Sequence, residues 1–421
     1  MKSRLNKTVV FLLAMVLLGS ISIPACAKND QGYITVNGVV RDKQTRKRLE
    51  YVNISIPGTS IGTITNSDGI FEIKVADSIR ANKLEISSLG YFNEYIPLKG
   101  EDIENAVIFL TPSINTLPEV VIMGMNPLDL IKAAVSKIAV NNSQNPNMLT
   151  GFYRETVKKR RNYINVTEAI VNVYKSPYTE NMSKDRVEVY KGRQLVSPKR
   201  GDTLIVKLQG GPNVSIFLDI VKNRELLFDE QAFRDYKFMM NGSVMLDERP
   251  HYVVSFEPQL VQPYPLFYGK VYIDKENLAF TQAEFSHSMK DRNKIIHTIL
   301  KKKPFNLRFK PEELTYLVTY RYENGRSYLN YLRNEIKFKC DWKRKLFSTN
   351  YEVLSEMVVT DKQLQNVTPI PYKQAFSLTN ILSDKVHSFY DEDFWEGYNI
   401  IAPTESLESA VNRLRKKHIQ D

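Results

Sequence analysis

The chain has 421 residues with a formal net charge of +11, and 43% hydrophobic against 25% charged content excludes wholesale disorder. Tyr and Phe number 23 and 20 beside two Trp, an aromatic bias that favours strands. Two cysteines cannot make a disulfide framework, so stability must come from packed cores.

The first 27 residues read as a secretory signal peptide. Lys2, Arg4 and Lys7 form a basic n-region, Val9 to Gly19 an apolar run, and Ser20 to Ala27 a stretch of small residues for cleavage. The apolar run is too short for a transmembrane helix. Cleavage after Ala27 leaves Lys28 first. A lipobox reading of Ile23-Pro24-Ala25-Cys26 instead leaves a lipidated Cys26. Removal takes three basic residues and no acidic one, so the mature chain stays basic. An exported protein, periplasmic or associated with the outer membrane, is expected. Any attachment is then peripheral or through lipidated Cys26, and nucleic acid is not an expected partner.

Residues 28–112 alternate as about seven short strands, the spacing of a Greek-key sandwich. The strands expected are Tyr33 to Val40, Tyr51 to Ile56, Ile61 to Thr65, Ile70 to Val75, Lys83 to Ser88, Tyr91 to Pro97 and Ala106 to Leu110. Asn66-Ser67-Asp68-Gly69 is a hairpin signal. Asp68 beside Asn66 also suggests a calcium ligand, but the further oxygen donors of a calcium loop are missing, and a turn is the simpler reading.

Residues 113–126 read as a linker, with a short strand at Glu119 to Met123. Asn126-Pro127 is a cap followed by proline at the first helical position, and Leu128, Ile131, Val135 and Ile138 recur at helical spacing. One amphipathic helix over Pro127 to Asn141 is predicted, its stripe facing a core.

Residues 127–421 form a second, β-rich domain with packing helices. Strands are predicted at Leu149 to Lys158, Tyr163 to Tyr174, Arg186 to Gln194, Tyr252 to Phe256, Phe267 to Ile273, Ala279 to His287, Leu314 to Tyr322, Ser327 to Phe338 and Thr349 to Val359. Asp274-Lys275-Glu276-Asn277 and Glu323-Asn324-Gly325-Arg326 are of hairpin length. Ile216 to Leu227 carries helical spacing instead, and the chain ends on a basic helix. The fold class is therefore mainly β: a seven-stranded sandwich, then a large antiparallel, half-barrel-like sheet with a few helices. Charged strand faces and the helical end argue against a membrane barrel.

Chemistry is sparse. None of the five His has Glu three residues on, as a zinc peptidase motif requires, and no GxSxG elbow, Walker loop or CxxC is present. Glu155 and Glu168 on neighbouring strands are candidate general acid and base of a carboxylate-dependent hydrolase. Asp391-Glu392-Asp393 beside Phe394 and Trp395 could hold a cation or sugar, but reads better as a turn. Cys340 reads as a buried packing residue in a strand. Lys158-Lys159-Arg160-Arg161, Lys301-Lys302-Lys303 and Lys337, Lys339, Lys343, Arg344 and Lys345 are solvated turns, or else contacts for anionic lipid or glycan. No catalytic residue, cofactor site or metal site is assigned.

Two resemblances add to this reading. Gly38-Val39-Val40-x-Asp42, Tyr51-Val52-Asn53-Ile54-x-Ile56-x-Gly58-Thr59, Gly62-Thr63-x-Thr65-x-x-Asp68-Gly69-x-Phe71 and Leu84-x-Ile86-Ser87-x-x-Gly90-Tyr91 resemble the carboxypeptidase-regulatory-like, transthyretin-like domain, widespread in envelope proteins of Bacteroidota. That family is an accessory module, which implies no peptidase activity. Gly151-Phe152-Tyr153-Arg154-Glu155, His251 to Pro258 and Gly269 to Asp274 are similar to lipoprotein-carrier-like half-barrels of the periplasm, where a curved sheet cups an acyl chain. Together these point to a non-enzymatic cell-envelope protein that binds a lipid, glycan or protein partner through its second domain. The alternatives are an accessory part of an outer-membrane transport complex, or the carboxylate-dependent hydrolase.

Overall fold

Short alternating segments broken by turn residues build the first domain. The computed structural model describes residues 32–113, 125–199, 202, 206–208, 210–343, 348–377, 380–382, 385–388 and 392–420. The expected leader at 1–27, the strand at Glu119 to Met123, Arg344, Lys345 and Asp391 lie outside the described residues.

Seven strands follow in order: β1 (Tyr33–Asp42), β2 (Asn53–Ser55), β3 (Gly62–Ile64), β4 (Ile70–Ala76), β5 (Lys83–Ser87), β6 (Glu94–Pro97) and β7 (Ile103–Leu110). They make two facing sheets, β4-β1-β7 and β3-β2-β5-β6. Every second residue of β4 faces inward, so Phe71, Ile73 and Val75 meet Val36, Val40, Ile54, Leu84 and Ile86 in one core. β1 and β7 run parallel, and they touch closely: a Cβ at Gly38 would lie 2.3 Å from the Ala106 carbonyl oxygen. At the expected hairpin, Asn66 Oδ1 accepts from Asp68 N and Ile70 N, and Gly69 takes φ +70°. β2 is shorter than predicted, because Tyr51 adopts φ 58° and leaves the strand conformation.

Asn126 caps the next helix as its sequence predicts, Oδ1 accepting from Leu128 N at 3.0 Å. This helix, α1 (Pro127–Ser136), is shorter than expected. Lys137 interrupts it, and a separate turn covers Ile138–Asn141. The buried side is rotated as well. Leu130, Ile131, Ala134 and Ile138 are buried, whereas Leu128 and Val135 sit at the margin.

The large sheet holds β8 (Asn147–Lys159), β9 (Asn162–Lys175), β10 (Arg186–Val196), β12 (Tyr236–Leu246), β13 (Arg249–Pro258), β14 (Phe267–Asp274), β15 (Phe280–His287), β17 (Leu307–Glu323), β18 (Arg326–Trp342), β19 (Thr349–Gln363) and β20 (His387–Ser388). Their order is β12-β13-β14-β15-β17-β18-β19-β8-β9-β10-β20, an open sheet. Neighbours are antiparallel except β20, which meets β10 in parallel. A small separate pair joins β11 (Lys207–Leu208) to β16 (Leu300–Lys302). All nine predicted strands are present. The β12–β13 hairpin was not predicted, since its turn is Asp247-Glu248, both at positive φ without a glycine. The predicted helical stretch Ile216 to Leu227 is instead one turn at Val214–Phe217 and a 3-10 turn at Arg224–Leu226, followed by α2 (Glu230–Asp235).

One face of the sheet is closed by α1 and the segment through α2. Ile131 and Phe228 join Val173, Val254, Ile273 and Val318 in that core. Farther along the same face, α3 (Arg292–Ile299) sets Ile295 and Ile299 against Leu314, Ile336 and Phe338. The opposite face receives the sandwich: Ile64 packs with Phe152, Ile170, Tyr331 and Val358, joined by Trp395 and Ile401. Beside them α4 (Glu405–Gln420) lays Leu407, Val411 and Leu414 on Val166 and Leu195. No helix among the described residues is long and apolar enough to cross a membrane.

The segment leading into α4 straps the two domains together. Thr63 Oγ1 donates to Ile400 O at 2.9 Å, and Asn66 Nδ2 to Ala402 O at 3.0 Å. Asn399 exchanges both amide bonds with the Lys74 backbone. Asp68 accepts from Glu405 N at 2.8 Å, so this carboxylate caps a helix start, which agrees with its turn reading.

Candidate binding groove

Strand alternation decides what the uncovered part of the second face offers. In β13 to β17, Phe256, Val271, Ala283, Phe285 and Val318 point into the core, so their neighbours point outward. Most of those neighbours are polar: Ser255 and Glu257 on β13, Lys270 on β14, Gln282, Glu284 and Ser286 on β15, Thr315 and Thr319 on β17, with Leu317 among them. Glu50, Tyr51, Ser88 and Leu89 of the sandwich form the facing wall. Between them runs a groove of about 950 Å³.

Its floor and wall are held by named contacts. Gly269 permits close strand approach, since a Cβ there would stand 2.1 Å from Glu284 O. Glu284 Oε1 accepts from Gln282 Nε2 at 2.5 Å and from the Tyr272 hydroxyl at 3.3 Å. Tyr51 stacks on Tyr331 with ring centroids 5.6 Å apart, and the Arg333 guanidinium lies 5.0 Å over the Tyr51 ring. Gly90 N donates to Met245 O at 2.6 Å, tying the sandwich to β12. Tyr268, half exposed, offers a flat ring among hydroxyls, amides and carboxylates. Leu89, Met239, Phe256, Phe285, Met289 and Leu317 also line the groove, so apolar surface is interleaved with groups that can hydrogen-bond and stack on a polar ligand.

Glu155 and Glu168 do not form an acid–base pair. In the β8–β9 register Glu168 stands opposite Arg154, and Glu155 opposite Thr167, so the two carboxylates lie on opposite faces of the sheet. Glu168 is clamped by Arg154 at 2.8 Å and by Arg193 at 2.9 Å. Burial opposes its ionisation, but the two guanidiniums outweigh that and hold the carboxyl below its usual range. Glu155 borders a cavity of about 210 Å³ on the helix-covered face, with Ser355, Asn334 and Leu382. Burial pushes its carboxyl up, against hydrogen bonds from Tyr153 and Ser355.

A second ionic cluster gave no sequence signal, because its members are scattered along the chain. Lys175 is fully buried with Asp185 and Asp219 each at 2.9 Å. The hydroxyls of Tyr178 and Tyr320 both donate to Asp219 at 2.9 Å. Lys222 donates to the carbonyls of Ser176 and Pro177, and burial draws it down to about 8. The two lysines are matched by the two aspartates within the core.

The remaining candidates are structural. Cys340 is buried, and burial pushes its thiol up to about 12, which suppresses the thiolate. Trp395 meets Phe152 edge-on at 5.4 Å, with the Arg193 guanidinium 4.8 Å over its ring, so this aromatic packs the strap, while the carboxylates of 391–393 lie outside the described side chains. His287 stacks on Phe267 at 4.2 Å in an aromatic nest. Among the described residues, no three His, Cys, Asp or Glu side chains gather as metal ligands. The basic stretches lie at one end of the large sheet.

Comparison with known proteins agrees on the first domain. Residues 36–122 match the CarboxypepD_reg-like domain family. The N-terminal sandwich is a CarboxypepD_reg-like domain. No curated protein matches the chain. Among solved structures, one described as an outer membrane lipoprotein-sorting protein domain from Vibrio parahaemolyticus is 10% identical, covering 57% of this chain and 93% of that one, with a TM-score of 0.26. A DUF1329 family protein from Desulfovibrio piger is 10% identical, covering 58% and 95%, with a TM-score of 0.23. A membrane-associated protein of unknown function from Bacteroides fragilis is 10% identical, covering 78% and 98%, with a TM-score of 0.15. Superpositions this loose leave the second domain to be read from its own residues.

Proposed function

We propose that the protein is an exported, non-enzymatic component of the cell envelope that holds a hydroxyl-rich ligand, a glycan chain, in the groove between the sandwich and the large sheet. The observation that carries this reading is the lining of the roughly 950 Å³ groove, where hydroxyl, amide and carboxylate side chains are interleaved with apolar ones around an exposed tyrosine ring. Sugars present hydroxyls for such groups and an apolar ring face for the aromatic. An acyl ligand is disfavoured, because the apolar face of the sheet is filled by α1 and the segment through α2. A carboxylate hydrolase built on Glu155 and Glu168 is disfavoured by their separation across the sheet.

The test is binding to an array of envelope glycans by the wild type and a Tyr268→Ala variant. Retention of a glycan class by the wild type, lost several-fold in the variant, supports the reading. No retention, or retention indifferent to Tyr268, overturns it. A fluorescent fatty acid bound in its place would restore the carrier reading.

A further inference from the structure

Antiparallel pairing brings basic stretches that are far apart in sequence to one rim of the large sheet. β8 ends and β9 begins there, β17 begins, β18 ends and β19 begins. Backbone bonds tie the rim together: Arg160 N donates to Asn350 O at 2.8 Å, and Lys343 N to Asn306 O at 3.1 Å. With strands about 4.8 Å apart, the three steps from β17 to β8 place the start of β17 roughly 14 Å from the end of β8. Lys303 Nζ donates to Leu307 O at 2.9 Å, which ties the Lys301–Lys303 stretch to that start. Some of these charges are answered locally. Lys158 pairs with Glu352, Lys159 with Asp202 and Lys310 with Asp341. Arg160, Arg161, Lys302 and Lys343 are exposed and have no carboxylate partner among the described residues.

The rim also carries an aromatic tip. Phe305 follows Lys303-Pro304 in the loop before β17 and is 91% exposed. Lys343 Nζ lies 4.9 Å over its ring. A lone exposed apolar side chain is ordinary on a protein surface. One flanked by unanswered cations has the composition of a bilayer contact, where cations meet anionic head groups and the ring enters the interface.

We propose that this rim docks the protein on an anionic phospholipid surface, with Phe305 inserted and Arg160, Arg161, Lys302 and Lys343 on the head groups. The contact is independent of the groove and of any lipid anchor on the chain.

Residues 28–421, which retain every described residue, are sedimented with phosphatidylcholine vesicles with or without phosphatidylglycerol. Binding is expected only with phosphatidylglycerol and should weaken as salt is raised. Each basic side chain near an anionic surface raises affinity roughly fivefold, so Arg160→Ser combined with Arg161→Ser should lower it roughly tenfold or more. Phe305→Ser should weaken vesicle binding and leave binding to soluble polyglutamate unchanged. Val261→Ser, at an equally exposed residue whose turn lacks neighbouring basic residues, should change neither. All four positions are exposed, and unchanged thermal melting verifies that the variants fold. Equal binding to neutral vesicles, or none to anionic ones, overturns the proposal. So does full vesicle binding by Phe305→Ser, which would make the rim a site for soluble polyanions.

Discussion

Arg154 Nε donates to Glu168 Oε1 at 2.8 Å, and Arg193 Nε to the other carboxylate oxygen at 2.9 Å, beneath the strap that joins the two domains. Arg154 also donates to Ile401 O at 2.7 Å, so one guanidinium links the sheet to the strap. Glu168→Gln keeps the shape and removes the charge that both arginines face. Loss of one partner from a buried ion network costs about 3–5 kcal/mol. Urea unfolding of Glu168→Gln should show a midpoint lowered accordingly. An unchanged midpoint would mean that Glu356, 3.5 Å from Arg154, suffices for both cations.

Much of this fold was legible because strand alternation is local. The β17–β18 hairpin was readable from Asn324-Gly325, and both residues take the positive φ that its turn demands. The β12–β13 hairpin hid behind Asp247-Glu248, whose strained turn is sustained by the pairing of the strands themselves. Glu155 and Glu168 show a different limit. Neighbouring strands could be inferred, but the face each carboxylate takes depends on register, and a one-residue difference inverts it. The groove was illegible for a further reason: its two walls come from different domains and meet only through tertiary docking.

Gly69 is held at φ +70°, where an added Cβ would stand 3.0 Å from Val40 O and 3.1 Å from Leu49 N. Gly69→Val combines left-handed strain with that contact, and should destabilise by about 2 kcal/mol or more. The same turn presents Asp68 to α4, so the variant should also loosen the strap. Residues 28–112 alone are expected to fold, and comparing their melting with the full chain separates the two effects. Equal melting of wild type and variant in both contexts would contradict the turn.

Helix α1 separates buried from marginal positions that the sequence pattern placed on one stripe. Ile131 is fully buried in the core of the sheet, whereas Val135 lies at its edge. Ile131→Asp removes a buried aliphatic side chain and introduces a charge without a partner, and a loss of about 4 kcal/mol or more is expected. Val135→Asp should cost clearly less. Denaturant midpoints of the two single variants decide it, and equal losses would contradict the rotated face.

His287 supplies a dependence on acid. Burial pulls its imidazole down to about 4, against an opposing bond to the Leu266 backbone, while an unfolded histidine titrates near 6.5. Between those values the unfolded chain binds the extra proton. Stability from the neutral buried ring is therefore full above pH ~6.5 and lost as pH falls towards ~4. The slope from this residue reaches about 1.4 kcal/mol per pH unit, for a total of roughly 3 kcal/mol. His251 is also drawn down by burial, so some acid dependence survives without His287. Phenylalanine fits the position, because His287 already stacks on Phe267 and stands edge-on to Tyr316 at 5.6 Å. His287→Phe should leave stability at neutral pH little changed and flatten its decline below pH ~6.5. Unfolding free energies measured across that range should converge on the wild type at the top and exceed it at the bottom. Parallel curves would show that His287 does not carry the acid sensitivity.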